Sequence, residues 1–291
     1  MKSIWTTFFL FFVLISLQAQ EEGDAVQQRL KVEETNVLKP FTIMPHKPNF
    51  MLLGAFNQKG YDASLFRQQL NDKSLTFEDI EAQFQLSLKV PIALNFFSGR
   101  MTIFGAYTNR SFWQVYNPEI SSPFRETNHE PEFWFQFRHK NRFLGLDHPL
   151  TILGISHQSN GRSGVLSRSW NRVYAAMIMN RGNLAVQIKP WIRISEDEEE
   201  DDNPDIDRFL GHGELRLIYK WNGNTFQCML RNALESGFQR TGFEYSWSFP
   251  FYKYDHFRGY LQGFSGYGES LIDYDRKVNR IAIGVSLSDF L

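Results

Sequence analysis

"NLAVQIKPWIRI", residues 183–194, sets Leu184, Val186, Ile188, Ile192 and Ile194 on one parity and Gln187, Lys189, Trp191 and Arg193 on the other. A period of two with one apolar and one polar face marks a β-strand whose faces meet different surroundings. The pattern recurs in "GELRLIYKW" (213–221), where Leu215, Leu217, Tyr219 and Trp221 oppose Glu214, Arg216 and Lys220. It recurs again in "RIAIGVSLSDF" (280–290), where Ile281, Ile283, Val285 and Leu287 oppose Ala282, Gly284, Ser286 and Ser288. A secreted β-sandwich would alternate in the same way, so alternation alone does not choose between a sandwich and a barrel.

Segment length and connection length do choose. Working outward, candidate strands fall at 49–56, 83–97, 101–116, 131–139, 149–159, 169–180, 183–195, 209–221, 224–233, 238–249, 256–267 and 279–290. Most are about ten residues long, as a tilted transmembrane strand requires. "SGR" (98–100), "RG" (181–182) and "NG" (222–223) are tight connections, whereas 117–130, 160–168, 196–208 and 268–278 are long. Short turns at one end and long loops at the other are the habit of outer-membrane barrels. Asn-Gly is also a favoured two-residue hairpin turn. The chain therefore reads as all-β: a twelve-stranded antiparallel transmembrane β-barrel over 49–291, with the long loops outside the cell. The mixed charges of Glu214, Arg216, Lys220, Lys189 and Arg193 would face the lumen and pair there. Trp113, Trp134, Trp170 and Tyr174 are expected in the aromatic belts at the membrane interfaces.

The bulk numbers agree. The 291 residues are 16% aromatic, with 28 Phe, yet carry a net charge of −1. That charge exerts no pull toward nucleic acid. Cys228 is the only cysteine, which excludes an intrachain disulfide and any Cys-based zinc site. Residues 1–20, "MKSIWTTFFLFFVLISLQAQ", read as a signal peptide: Lys2, then an apolar run from Ile4 to Leu17, then the small residue Ala19. Residues 21–48 are polar, with Pro40, Pro45 and Pro48, and are expected to be an extended or partly disordered lead-in.

"SHQSNGRSGVLSRSWNRVY" (156–174) is the stretch with chemistry in it. On the strand ending near 159, His157 and Ser159 share parity with Leu153 and Ile155. On the next strand, Asn171 shares parity with Val173, Ala175, Met177 and Met179. All three polar residues thus lie on the apolar, lipid-facing side, where polar groups are costly without a role. Residues two apart on a strand lie roughly 6.6 Å apart, and a neighbouring strand can bring Asn171 alongside. Two readings fit this spacing. One is the polar rim of a barrel. The other is a hydrolytic set in which Ser159 attacks, His157 takes its proton and Asn171 orients the imidazole.

The same block resembles the signature region of the outer membrane phospholipase A family. The resemblance extends through "FWQVYNPEISSPFRETNHEPEF", "NLAVQIKPW", "DDNPDI" and "GYGESLIDY", and covers roughly residues 75–291. It implies a twelve-stranded barrel carrying its catalytic residues on the outer surface, with Ser159 as nucleophile, His157 as base and Asn171 as orienter. It implies hydrolysis of glycerophospholipid acyl esters, of phospholipase A1, A2 and lysophospholipase type, in the outer leaflet of the bacterial outer membrane. It further implies calcium in a site completed by homodimerisation: the Arg162 carbonyl, Ser167, and Ser122 from the partner subunit, with Ser121 an equal alternative to Ser122. His129 stands where the resemblance leads one to expect an aromatic, which bears on local loop packing. The acidic run 196–207 reads as a solvated extracellular loop, with a divalent-ion site bridging lipopolysaccharide phosphates as the alternative. The competing functional class is a passive pore or structural barrel that carries the motif without chemistry.

Overall fold

The computed structural model describes residues 25–290, apart from 97–99, 121–122, 198, 200 and 252–253. The expected signal segment 1–20 and Ser122 lie outside the described residues. The twelve expected strands are all present: β1 Asn49–Asn57, β2 Ile80–Asn95, β3 Met101–Trp113, β4 Phe124–Phe143, β5 Leu146–Ser159, β6 Ser169–Arg181, β7 Leu184–Ile194, β8 Gly213–Trp221, β9 Asn224–Arg231, β10 Gly242–Phe251, β11 Tyr254–Gly266 and β12 Val278–Ser288. Each strand is antiparallel to its sequence neighbours, and β12 pairs back onto β1, closing the sheet. Closure satisfies every edge, which a sheet in lipid requires. No helix is long and apolar enough to cross a membrane among the described residues.

Tight turns join the strands at one end. Leu144-Gly145 and Asn222-Gly223 both carry positive φ at their two central residues (51° and 80°; 45° and 74°), the backbone of a two-residue hairpin. The first of these turns lengthens β4 and β5 beyond the sequence expectation. The long connections gather at the other end, the extracellular one by the rule above.

Parity sorts the side chains as the alternation foretold. Ile281, Ile283 and Leu287 point outward, each more than half exposed. The inward faces carry charge, and the charges pair. Arg125 makes two bonds of 2.9 Å to Glu81 and a third to Asp273. Lys47 bridges Glu130 and Glu132 at 2.6 and 2.9 Å, and Lys189 reaches Glu132 at 3.3 Å. Arg216 pairs with Glu214 at 3.2 Å.

The aromatics depart from expectation. Trp134, Trp170 and Tyr174 are buried in the lumen with Trp191 and Phe104, not set in interfacial belts. Trp170 and Tyr174 share parity with Arg172, and that parity faces inward. Gly154 is what lets them fit. A Cβ there would stand 2.6 Å from the Tyr174 ring and 2.8 Å from Trp134, its partners on either side.

Both ends of the lumen are filled. The lead-in is not extended: residues 25–37 form helix α1 (Ala25–Val37). Its buried Val26, Leu30 and Glu33 make a stripe at i, i+4 and i+7. Val26 and Leu30 pack on inward-facing Leu150, Ala185 and Ile218, and Glu33 meets Lys89 at 2.5 Å. The helix ends before Pro40, which could not continue it. At the far end, the segment after β11 folds back into the mouth. There Asn128 Oδ1 accepts from the Leu271 amide (3.2 Å) and Glu126 Oε1 from that of Ile272 (3.1 Å).

Candidate active site

The β5–β6 hairpin brings the three candidates to one patch of the outer surface. His157 and Asn171 are direct cross-strand partners, and Ser159 faces Ser169 two pairs further out. His157 is exposed, and Ser159 and Asn171 are half-buried. Leu153, Ile155 and Val173, on the same face, are 47%, 53% and 49% exposed, so the patch sits at the edge of an apolar, lipid-facing surface.

His157 Nδ1 and Asn171 Oδ1 are 2.8 Å apart. A carbonyl oxygen can only accept, so Nδ1 carries the proton and the Nε2 lone pair is left for a donor. Ser159 Oγ is not hydrogen-bonded to His157 among the described residues. The two sit on one face of one strand, two residues apart, within reach of a rotamer change.

The residues between them hold the strand pair from behind. Trp170 Nε1 donates to Gln158 Oε1 at 2.8 Å. The Arg172 guanidinium donates to Glu130 Oε1 at 2.7 Å and lies 4.0 Å over the Trp170 ring. Thus the inward members of each strand anchor what the outward members present.

The loop after Ser159 is pinned by Asn160, which is buried. Its Nδ2 donates to the Leu166 carbonyl (2.8 Å), and its Oδ1 accepts from the amides of Arg162 (3.2 Å) and Arg168 (3.1 Å). Arg162 turns its guanidinium inward onto the carbonyls of Phe124 (2.8 Å) and Arg125 (3.0 Å). Ser167 is half-buried in the same loop, its amide on the Gly164 carbonyl at 3.1 Å. The Arg162 carbonyl and Ser167 hydroxyl are neutral oxygens on a fixed loop, a donor type that suits a hard cation. Two such oxygens leave a coordination shell to be filled from elsewhere. No cluster of three His, Cys, Asp or Glu suited to a metal occurs among the described residues.

Two residues near the patch hold places that the sequence reading did not give them. Asn171 Nδ2 donates to Glu196 Oε1 at 2.8 Å. Asn171 pairs with Ile194, and Glu196 continues that parity two residues on. His129 lies on β4, not in a loop, directly across from Ser159. Its Nδ1 is 2.5 Å from Tyr107 Oη.

The acidic run is only partly solvated. Arg193 grips both oxygens of Asp201 at 2.7 Å, Asn203 Oδ1 accepts from the Ser169 amide at 2.9 Å, and Asp205 accepts from Tyr274 Oη at 2.5 Å. Ile206, which opens helix α3 (Ile206–Leu210), is fully buried. The "DDNPDI" motif is therefore a clasp between β7, β6 and the mouth of the barrel.

The family model for phospholipase A1 matches residues 26–287. The chain belongs to the phospholipase A1 family. The phospholipase A1 of Escherichia coli strain K12 is 36% identical over 250 residues, 86% of this chain and 83% of that one. That of Klebsiella pneumoniae is 34% identical over 252 residues, 86% and 84% of the two chains. Among solved structures, the calcium-bound dimer of Salmonella typhi outer membrane phospholipase matches with a TM-score of 0.79 at 34% identity, covering 88% of this chain and 97% of that one. The outer membrane phospholipase A of Escherichia coli matches equally, with a TM-score of 0.79 at 33% identity over 89% and 97%. Family and fold together place this enzyme in the bacterial outer membrane.

Proposed function

We propose that this enzyme hydrolyses the acyl ester bonds of glycerophospholipids in the outer leaflet, using Ser159 as nucleophile, His157 as base and Asn171 as orienter. The observation that carries the reading is the 2.8 Å His157–Asn171 bond on a lipid-facing surface. Such a bond fixes an imidazole tautomer where a polar pair is otherwise costly.

In the proposed reaction His157 Nε2 takes the Ser159 Oγ proton as Oγ attacks the acyl carbonyl. Collapse of the tetrahedral intermediate expels the glycerol oxygen, which takes that proton back from His157. Water, deprotonated in turn by His157, then releases the fatty acid and restores Ser159. Asn171 holds the ring throughout, though a neutral amide stabilises imidazolium less than a carboxylate would. The same steps serve either acyl ester of a phospholipid and the remaining ester of a lysophospholipid.

The reading includes calcium and a homodimer. The Arg162 carbonyl and Ser167 would hold the ion together with Ser122 of the partner subunit. The bound ion would supply positive charge to stabilise developing negative charge near Ser159. The neutral-oxygen donors described above support this, as does the calcium-bound dimer of the Salmonella typhi relative. The lumen, stopped at its ends by α1 and the infolded mouth and crowded by aromatics, offers no support for a passive pore.

The test is fatty-acid release from phospholipid by the detergent-purified protein, with calcium and with chelator, for wild type and Ser159→Ala. The variant should lose about 10³-fold or more in rate while keeping its barrel, and chelation should silence the wild type. Undiminished hydrolysis by Ser159→Ala would remove the reading.

A further inference from the structure

The Asn171 amide has two faces of nearly the same shape, and only one suits His157. With Oδ1 toward Nδ1, the ring keeps its proton there and frees Nε2. Rotated by half a turn, the amide would offer N–H to Nδ1 and select the wrong tautomer. A hydrogen bond on the far side of the amide decides which orientation is held.

That bond comes from Glu196. Asn171 Nδ2 donates to Glu196 Oε1 at 2.8 Å, on the opposite side from the 2.8 Å bond to His157. An ionised carboxylate can only accept, so it selects the orientation that directs N–H outward and Oδ1 at the imidazole. Glu196 is half-buried, so its charge is not fully screened by water. Its loop is held on both sides. β7 ends at Ile194, the partner of Asn171, and Asp201 is clamped by Arg193 through two 2.7 Å bonds. The Asp201 amide also donates to the Asp197 carbonyl at 3.0 Å, closing the turn just after Glu196.

We propose that Glu196 is a positioning residue for the reaction: it locks the Asn171 amide and places a negative charge two hydrogen bonds from the His157 ring. The chain thereby gains, one residue further out, the carboxylate that its neutral orienter lacks. This rests on the reading of Ser159, His157 and Asn171 as the catalytic set.

The experiment measures kcat and KM on phospholipid micelles with calcium, using the full-length protein. The samples are wild type, Ser159→Ala, Glu196→Ala, Glu196→Gln, Asn171→Ala and Asn171→Ala with each Glu196 change. Glu196→Ala should lower kcat by about tenfold, equivalent to about 1.4 kcal/mol, with KM within about twofold of wild type. Glu196→Gln, which keeps an accepting oxygen and the side-chain shape, should recover part of that loss. In the Asn171→Ala background neither change should have a further effect, because the group through which Glu196 acts is gone. Should Glu196→Ala fail to fold, the same cycle read with Glu196→Gln carries the test. A wild-type kcat in both Glu196 variants, or an equal loss with and without Asn171, overturns the role of Glu196 while leaving the catalytic set intact. An inactive wild type, or an active Ser159→Ala, removes the catalytic set and this inference with it.

Discussion

The inner and outer faces of the β5–β6 hairpin use polar residues to opposite ends. Inside, Arg172, Glu130, Gln158 and Trp170 are bound to one another, and their neighbours Lys47, Lys189 and Glu132 extend the network. Outside, the polar residues are few, stand among exposed leucine, isoleucine and valine, and leave His157 Nε2 and Ser159 Oγ uncommitted among the described residues. A committed polar group holds structure, whereas an uncommitted one can act on something else. In a barrel, polarity as such carries no functional signal. Polarity on the face that should be apolar does.

Substitutions on the two faces should therefore differ in kind, and the inner one should cost most. Arg125→Met leaves Glu81 and Asp273 buried without their cation, and should lower unfolding stability by about 3–5 kcal/mol. Denaturant unfolding in detergent measures it, and a loss below about 1 kcal/mol would mean that the inner network is ornamental. Leu153→Arg charges the lipid face beside the proposed catalytic patch. It should cost about 2 kcal/mol in a bilayer and much less in detergent, a difference that vanishes if that face is not against lipid.

The smallest effect is expected at the rim, where the same kind of ion pair meets water. Helix α2 (Ser64–Leu70) begins beside Asp62, which pairs with Arg276 and accepts from the Ser64 amide and hydroxyl at 2.8 Å each. Burial pushes the Asp62 carboxyl up, but Ser64 and then Arg276 outweigh it and hold it below the usual carboxylate value. Its contribution is therefore present above the unfolded pKa and lost as pH falls through the folded one. Asp62→Asn should cost less than about 1 kcal/mol at neutral pH, and less again in acid, at a pH below the folded pKa, where the aspartic acid is neutral too. Thermal melts at the two pH values check this. A cost comparable to Arg125→Met would erase the distinction between buried and exposed pairing.

Much of this was legible from the chain alone, because period-two alternation reports the face of each strand directly. That gave the twelve strands, the outward aim of His157, Ser159 and Asn171, and the charged lumen. Side-chain size did not report location. Trp170 and Tyr174 looked like belt residues by type, though their shared parity with Arg172 placed them inside. Helix α1 was hidden because four buried positions among thirteen polar-rich residues make a faint stripe. Glu196 was hidden by its company in an acidic run. Its role depends on the register between Asn171 and Ile194, which no single strand contains.

The infolded mouth and the docked helix have a mechanical consequence. An empty cylinder ovalises when squeezed from the side, and points on its wall change their spacing. This one is stopped at both ends and braced across its interior by ion pairs, such as Arg110 to Glu244 and Glu269 at 3.3 and 3.5 Å, which resist a change of section. Lateral stress in the bilayer should then be taken up as tilt of the whole body, and the wall that carries His157 and Asn171 keeps its curvature while the lipid around it shifts.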